Sequence, residues 1–391
     1  MAVSAASQLR RRPSHTRKHA IISCRNLRAS PETALLSNYS NQDQRFSRAF
    51  AVVREAIEQR VFPGATLAVT YRGELVASQG FGRFTYDPAS PEVHADTVFD
   101  LASVTKVIAT TSMAMLLFER CKFDLTAPVA TLLPEFGTDG DRKAVTVRML
   151  LAHSSGLPAY IKLFETAQSR DELFKSAYTT PLVHPPGTNA EYSDIGFILL
   201  GEILERLAGT TLDAFTLREV TAPLGMAQTR FNPPPTAKLT IPPTEDDRTF
   251  RHRIIQGEVN DENASVMGGV AGHAGLFAPA TDIARSAECM LRGGAPVFRL
   301  ATVELFTRRE DSPPDTSRAL GWDTPSPPST SGSHFSSYSF GHLGFTGTSL
   351  WIDPERSLSV TMLTNRIWPD RSNRAIRQVW PLVHDAIVEA L

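Results

Sequence analysis

Cysteine is scarce in this chain. Three occur in 391 residues, Cys24, Cys121 and Cys289, too far apart for a disulfide framework and without the close pairs of a zinc site. Cys121 and Cys289 are expected as buried thiols. No apolar run approaches the length of a bilayer span, so no transmembrane segment is expected. Net charge is almost absent: 40 basic against 41 acidic residues leave -1, which gives no electrostatic case for a nucleic-acid partner or an anionic membrane. There is no internal repeat. Lysine is rare, with seven in all, and only Lys106 has a serine three positions before it.

Acidic residues are missing from the start of the chain. Seven arginines and lysines precede Glu32, the first acid, so the remainder carries -8. A basic, Ser-rich, acid-free segment has the composition of an organelle transit peptide. A secretory signal would need a longer apolar stretch than Ala20-Ile21-Ile22, and the same lack argues against a lipoprotein site at Cys24. Residues 1–40 read as a basic extension, disordered or targeting, or as the product of an upstream start codon. Residues 41–391 are expected to form one domain.

What is present is an ordinary globular composition, 42% hydrophobic and 21% charged, with length enough for a substantial core. Residues 46–61 carry apolar side chains at helical spacing. Residues 65–71 and 74–79 read as strands joined at Arg72-Gly73. Near the other end, 348–352 and 358–363 read as strands separated by Asp353-Pro354-Glu355-Arg356, and 373–391 as a closing helix. This arrangement predicts an α+β sandwich: an antiparallel sheet built from both chain ends, flanked by helices. The sheet part would comprise 41–123 and 260–391, and a mostly helical part 124–259. Within it, 195–207 is a strong helix capped by Ser193 or Asp194. The proline-rich loop 311–333 is long enough to be functional or mobile.

Ser103 and Lys106 are the most informative pair. Lys106 lies in an uncharged, largely apolar run reaching Phe118, where an ammonium must find partners or shift its pKa. On a helix, residues three apart share a face, so the amine can reach the hydroxyl. A nucleophile beside a desolvated amine suffices for covalent acyl transfer. The pattern is short, and a chance Ser-x-x-Lys on a surface helix would look the same. Tyr192 offers a hydroxyl whose phenolate an ammonium would favour, and Asp194 follows it. Alone, these two would be a half-buried aromatic and a helix cap. His342-Leu343-Gly344 precedes a strand, and its glycine permits close backbone approach to a ligand.

In the order Ser-x-x-Lys, Tyr-x-Asp, His-x-Gly, these segments resemble the serine β-lactamase and penicillin-binding-protein superfamily, in its class C, DD-peptidase and esterase branch. The stretches 149–158, 192–196 and 268–277 look like that branch. Those around Asn260-Asp261-Glu262-Asn263-Ala264, 321–326 and 344–365 look closest to the penicillin-binding-protein 4B type. The resemblance spans about 45–390 and implies a β-lactamase/transpeptidase-like fold. It implies Ser103 as acylated nucleophile at the start of a buried helix, with Lys106 and Tyr192 as the basic groups. It implies Asp194, His342, Gly344 and Phe345 at the substrate, the amides of Ser103 and Phe345 forming the oxyanion hole.

Two departures stand out. Many relatives have Asn where this chain has Asp194, which when ionised cannot donate to a substrate. Leu343 lacks the hydroxyl that helps hold a substrate carboxylate, and His342 replaces the lysine of β-lactamases. Both weaken recognition of penicillin-like carboxylates. The expected activity is a cofactor-free serine hydrolase, DD-carboxypeptidase-like or β-lactamase-related, with a small-ester esterase and an inactive scaffold as alternatives. Its expected partner is a small molecule or a peptidoglycan peptide. The resemblance favours a bacterial periplasmic or exported protein, although no clear signal peptide is visible. His153 and His273 read as structural loop anchors. Glu258, Asp261, Glu262 and His273 lack the helix-spaced pairs expected of metal ligands.

Overall fold

The computed structural model describes residues 35–391. Expectations for the basic segment, including Cys24, lie outside the described residues, apart from a short strand at Leu36–Ser37 (β1). Alternation of apolar and small side chains builds the predicted hairpin as β2 (Gly64–Tyr71) and β3 (Glu74–Gly82). Arg72 and Gly73 both take positive φ, the backbone a tight two-residue hairpin loop requires. The C-terminal strands are β4 (Phe340–Leu343), β5 (Ser349–Asp353) and β6 (Leu358–Thr364). They join the first hairpin in the order β1-β3-β2-β6-β5-β4. All pairs are antiparallel except β1, which lies parallel to β3. Strand β2 of the first hairpin and the last strand, β6, therefore meet at the centre, where Val69 pairs with Val360.

Both faces of the sheet are covered. Successive side chains on a strand point to opposite faces. Leu67, Val69, Trp351, Val360 and Met362 pack in one apolar cluster with helices α1 (Ser47–Glu58) and the C-terminal Ile376–Glu389. Phe50 and Val53 on α1 meet Val379 and Val383 within it, at the helical spacing the sequence predicts. Truncating a residue as buried as Phe50 would cost about 3–5 kcal/mol. Ala68, Leu350, Ile352 and Leu363 belong to the larger cluster on the other side, with helices α2 (Ser112–Glu119), α3 (Asp194–Ala208) and α4 (Ala280–Leu291). The C-terminal helix is α5.

Three details position the site. Ser193 caps α3, its Oγ accepting from the Gly196 N–H, and Gly209 closes the helix at φ 64°. The Ser103 segment is not the simple helix expected. Ala102–Val104 is a 3₁₀ turn, Lys106–Thr111 is π-helical, and only then does α2 begin. Ser112 Oγ donates five residues back to Val107 O, matching the wider turn. The 311–333 loop is tied down by paired backbone bonds between Asp323 and Gly341. Among the cysteines, Cys289 is a buried free thiol as expected. Cys121 instead is exposed, because it sits at a positive-φ turn just after α2 rather than in the helix core, and it is disulfide-bonded, which the sequence spacing did not predict.

Candidate active site

Asp100 organises the approach to Ser103. Its buried carboxylate accepts from the N–H groups of Ala102 and Asn260, while burial pushes its pKa up to about 6. Ala102 is held at φ 45°, a conformation that costs a residue with a Cβ. That turn presents Ser103 to a cavity of about 580 Å³, which Tyr192, Asp194, His342, Gly344 and Phe345 also line.

Lys106 lies beneath, with no exposed surface. Its Nζ donates to Ser103 Oγ at 3.0 Å, Asp194 Oδ1 at 2.6 Å and the carbonyl of His273 at 2.9 Å. Three donors meet three acceptors, so the ammonium is fully satisfied. It also stands 4.9 Å from the centre of the Tyr192 ring and 5.6 Å from that of Phe197. Burial still draws its pKa below the ordinary 10.5, with Asp194 opposing. Asp194, expected at the substrate, serves first as the counter-ion of Lys106 while one edge faces the cavity.

Tyr192 departs from the expected phenolate. Its hydroxyl is covered and makes no hydrogen bond of normal geometry among the described residues. Burial, then the charge of Asp194, push its pKa well above 10, and the cations nearby do not reverse this. The Lys106 ammonium is paired with Asp194 at 2.6 Å, and the carboxylate offsets the field that would favour a phenolate. Arg318 reaches the ring from the 311–333 loop, its Cζ 5.5 Å from the centroid, and pairs with Asp323 at 3.5 Å. That loop is thus part of the site.

His342 does not replace a lysine's charge. Its Nδ1–H donates to Leu343 O at 2.7 Å, and burial beside Lys106 lowers its pKa to about 3. The ring is neutral, and its Nε2 has no partner among the described residues. Past it, the 344–348 turn is stapled to the Ser103 approach. Thr346 Oγ1 donates to Asp100 O and Thr348 Oγ1 to Leu101 O. A Cβ on Gly344 would overlap Leu101 O and Thr348 Oγ1, so only glycine permits this approach. Neither Ser103 nor Phe345 gives its amide N–H to another backbone group among the described residues.

The two anchor histidines differ. His153 accepts from the Ser193 N–H, stacks on Phe197, and is kept neutral by burial, in keeping with a loop anchor. His273 does more: its carbonyl receives Lys106, and its ring meets Asp261 at 2.8 Å. The sequence reading missed that link, although both residues stand in motifs it singled out. Glu258 and Glu262 turn instead to Arg253 and Arg371. No group of three or more metal-type side chains converges among the described residues.

The geometry defines a serine whose hydroxyl is served by a buried amine. The β-lactamase family model matches residues 49–381. The N-acetylmuramyl-L-alanine amidase of Bacillus subtilis is 34% identical over 343 residues, 78% of this chain and 77% of the relative. A putative D-alanyl-D-alanine carboxypeptidase of Salmonella agona is 33% identical over 347 residues, 78% and 79% of the two chains. Among solved structures, a penicillin-binding-protein homologue from Caulobacter crescentus superposes with a TM-score of 0.73 at 19% identity, covering 92% of this chain and 99% of that one. EstCE1, a hydrolase with promiscuous acyltransferase activity, gives 0.72 at 22%, covering 88% and 100%. The chain belongs to the β-lactamase family. It is a serine hydrolase of that family.

Proposed function

We propose that Ser103 is the acylated nucleophile and that the chain cleaves an amide bond in peptidoglycan-type peptides. The observation that carries this is the 3.0 Å contact between Ser103 Oγ and a wholly buried amine. Burial moves the amine down and the Tyr192 phenol up, so Lys106 is the group that gives up a proton first. Neutral Lys106 takes the Ser103 proton as Oγ attacks the carbonyl carbon. The carbonyl electron pair moves to oxygen, which the amides of Ser103 and Phe345 receive. Tyr192 gives its hydroxyl proton to the leaving nitrogen as the C–N bond breaks, and recovers one from Lys106. Water then loses a proton to Lys106, attacks the ester, and Ser103 leaves with a proton restored.

The neutral His342 and the apolar Leu343 disfavour a penicillin-type carboxylate beside the scissile bond, which favours a peptidase or amidase over a β-lactamase. The names of the amidase and carboxypeptidase relatives support the substrate class. The test is a muramyl pentapeptide followed by mass spectrometry. Loss of one D-alanine indicates carboxypeptidase cleavage, and release of the whole peptide indicates amidase cleavage. Either must vanish in Ser103→Ala. Turnover of p-nitrophenyl butyrate with an intact pentapeptide would replace the peptide reading by an esterase.

A further inference from the structure

Four carboxylates line the cavity, and Asp261 differs from the other three. Asp194 pairs with Lys106, Glu262 with Arg371 and Asp323 with Arg318, whereas Asp261 meets the ring of His273. Asp261 Oδ1 also accepts from the Ala264 N–H at 2.8 Å, capping the short helix Glu262–Val266. Burial opposes a charge on this carboxyl, but His273, the Ala264 N–H and Lys106 together bring it down to about 2. Asp261 is thus a mostly buried, ionised group with no ammonium or guanidinium in contact among the described residues, and such a charge depends on a cation close by.

His273 links that charge to the amine. Its backbone is stitched to the Lys106 segment on both sides. Thr110 Oγ1 donates to Gly272 O at 2.6 Å, and the Leu276 N–H donates to Thr105 Oγ1 at 3.1 Å. Between these ties His273 turns its carbonyl to Lys106 Nζ and its buried ring to Asp261. An ionised carboxylate only accepts, so Nε2 carries the hydrogen. The other ring nitrogen has no partner among the described residues, which leaves the Asp261 bond to set the ring. The remaining groups that face Lys106 are Asp194 and Tyr192 at the start of α3, Arg318 from the 311–333 loop, and the neutral rings of His153 and His342. Burial works against the ammonium and so does Arg318, while Asp194 and Asp261 favour it.

We propose that Asp261 and the His273 ring are positioning residues for Lys106. The ring bond steadies the carbonyl that aims Nζ at Ser103 Oγ, and the Asp261 charge is a second counter-charge that keeps the amine basic enough to take the serine proton. This rests on the reading of Ser103 and Lys106 as the acylating pair. Without that charge the amine loses its own proton more readily but removes the serine proton less well.

Asp261→Asn removes the charge while keeping the cap and an acceptor for His273, and Asp261→Ser keeps the cap alone. In both, the rising limb of kcat/KM for p-nitrophenyl butyrate should move about one unit to lower pH. The plateau kcat should fall about tenfold with KM within about twofold of wild type, since the pair acts on the chemical step. His273→Gln can still donate to Asp261 and should recover most of the kcat that His273→Ala loses. A second readout needs no turnover: the titration of carbon-13-labelled lysine followed by NMR in Ser103→Ala. Lys106, identified among the seven lysines by its absence in Ser103→Ala/Lys106→Met, should titrate at lower pH once Asp261→Asn is added. A Lys106 titration that does not move overturns the inference, as does an unmoved limb in an enzyme whose turnover depends on Ser103. If the titration moves but Ser103→Ala turns over as wild type does, the positioning pair stands and the reading of Ser103 falls.

Discussion

Asp194 Oδ1 stands 2.6 Å from Lys106 Nζ, and the amine it serves has no other carboxylate in hydrogen-bond contact among the described residues. Removing one partner of such a pair strands a buried charge, at a cost of about 3–5 kcal/mol. Asp194→Ala should lose stability on that scale in urea unfolding. Asp194→Asn, which keeps an acceptor, should lose less. Adding Lys106→Met to Asp194→Ala should return much of the loss, since no charge is then stranded. If the double variant is no more stable than Asp194→Ala, the ion pair is not what holds this region.

The pH profile separates the two candidate bases. Activity that needs neutral Lys106 rises as that amine loses its proton, and burial places this below the ordinary lysine value of 10.5. Activity that needs a Tyr192 phenolate would rise only above the tyrosine value of 10.0, because burial and Asp194 push the phenol upward. We expect the rising limb of kcat/KM for a neutral ester to lie below the ordinary lysine value of 10.5. A limb still climbing beyond that point would assign the base to Tyr192.

Gly344→Ala should lower the acylation rate about 100-fold, the order of effect of one lost oxyanion donor. The added Cβ overlaps Leu101 O, a backbone atom that cannot swing aside, so the 344–348 turn must retreat from Ser103. Single-turnover acylation kinetics would read this directly. Near-wild-type acylation would mean that the Phe345 amide takes no part.

His384 does not line the cavity and is fully buried on α5, with Nδ1–H donating to Thr330 O at 2.8 Å. Burial lowers its pKa from 6.5 to about 4, as it lowers that of His342 to about 3. A depressed folded pKa contributes stability that is complete above about 6.5 and is lost as pH falls toward the folded value. At pH 5 each histidine should have withdrawn about 2 kcal/mol. The fall in melting temperature between pH 7.5 and 5 should therefore be smaller in His384→Asn than in wild type. Equal falls would remove His384 from the acid response.

The hairpins at both ends were legible because alternation and turn residues act locally. Arg72-Gly73 and Ser193 needed no tertiary information. The 3₁₀ and π turns around Lys106 were hidden, since Ser-x-x-Lys spacing brings hydroxyl and amine together in either geometry. For Tyr192 the sequence offered only one of the influences on its hydroxyl. Sequence places an ammonium nearby, but not the burial of the phenol, nor the carboxylate that claims the ammonium first. The Asp261–His273 link was invisible for another reason. Its members come from separate segments that only the fold assembles.

The pairing of β2 with β6 also bears on how the protein is born. Strand Gly64–Tyr71 cannot find its central neighbour Leu358–Thr364 until nearly all of the polypeptide has left the ribosome. The Ser103 segment emerges early, but the 344–348 turn stapled to it emerges among the last residues. A nascent chain thus carries its reactive serine for most of its synthesis without a completed pocket. A premature stop between residues 103 and 340 would yield a chain that contains Ser103 but lacks the 344–348 turn that the proposed mechanism needs.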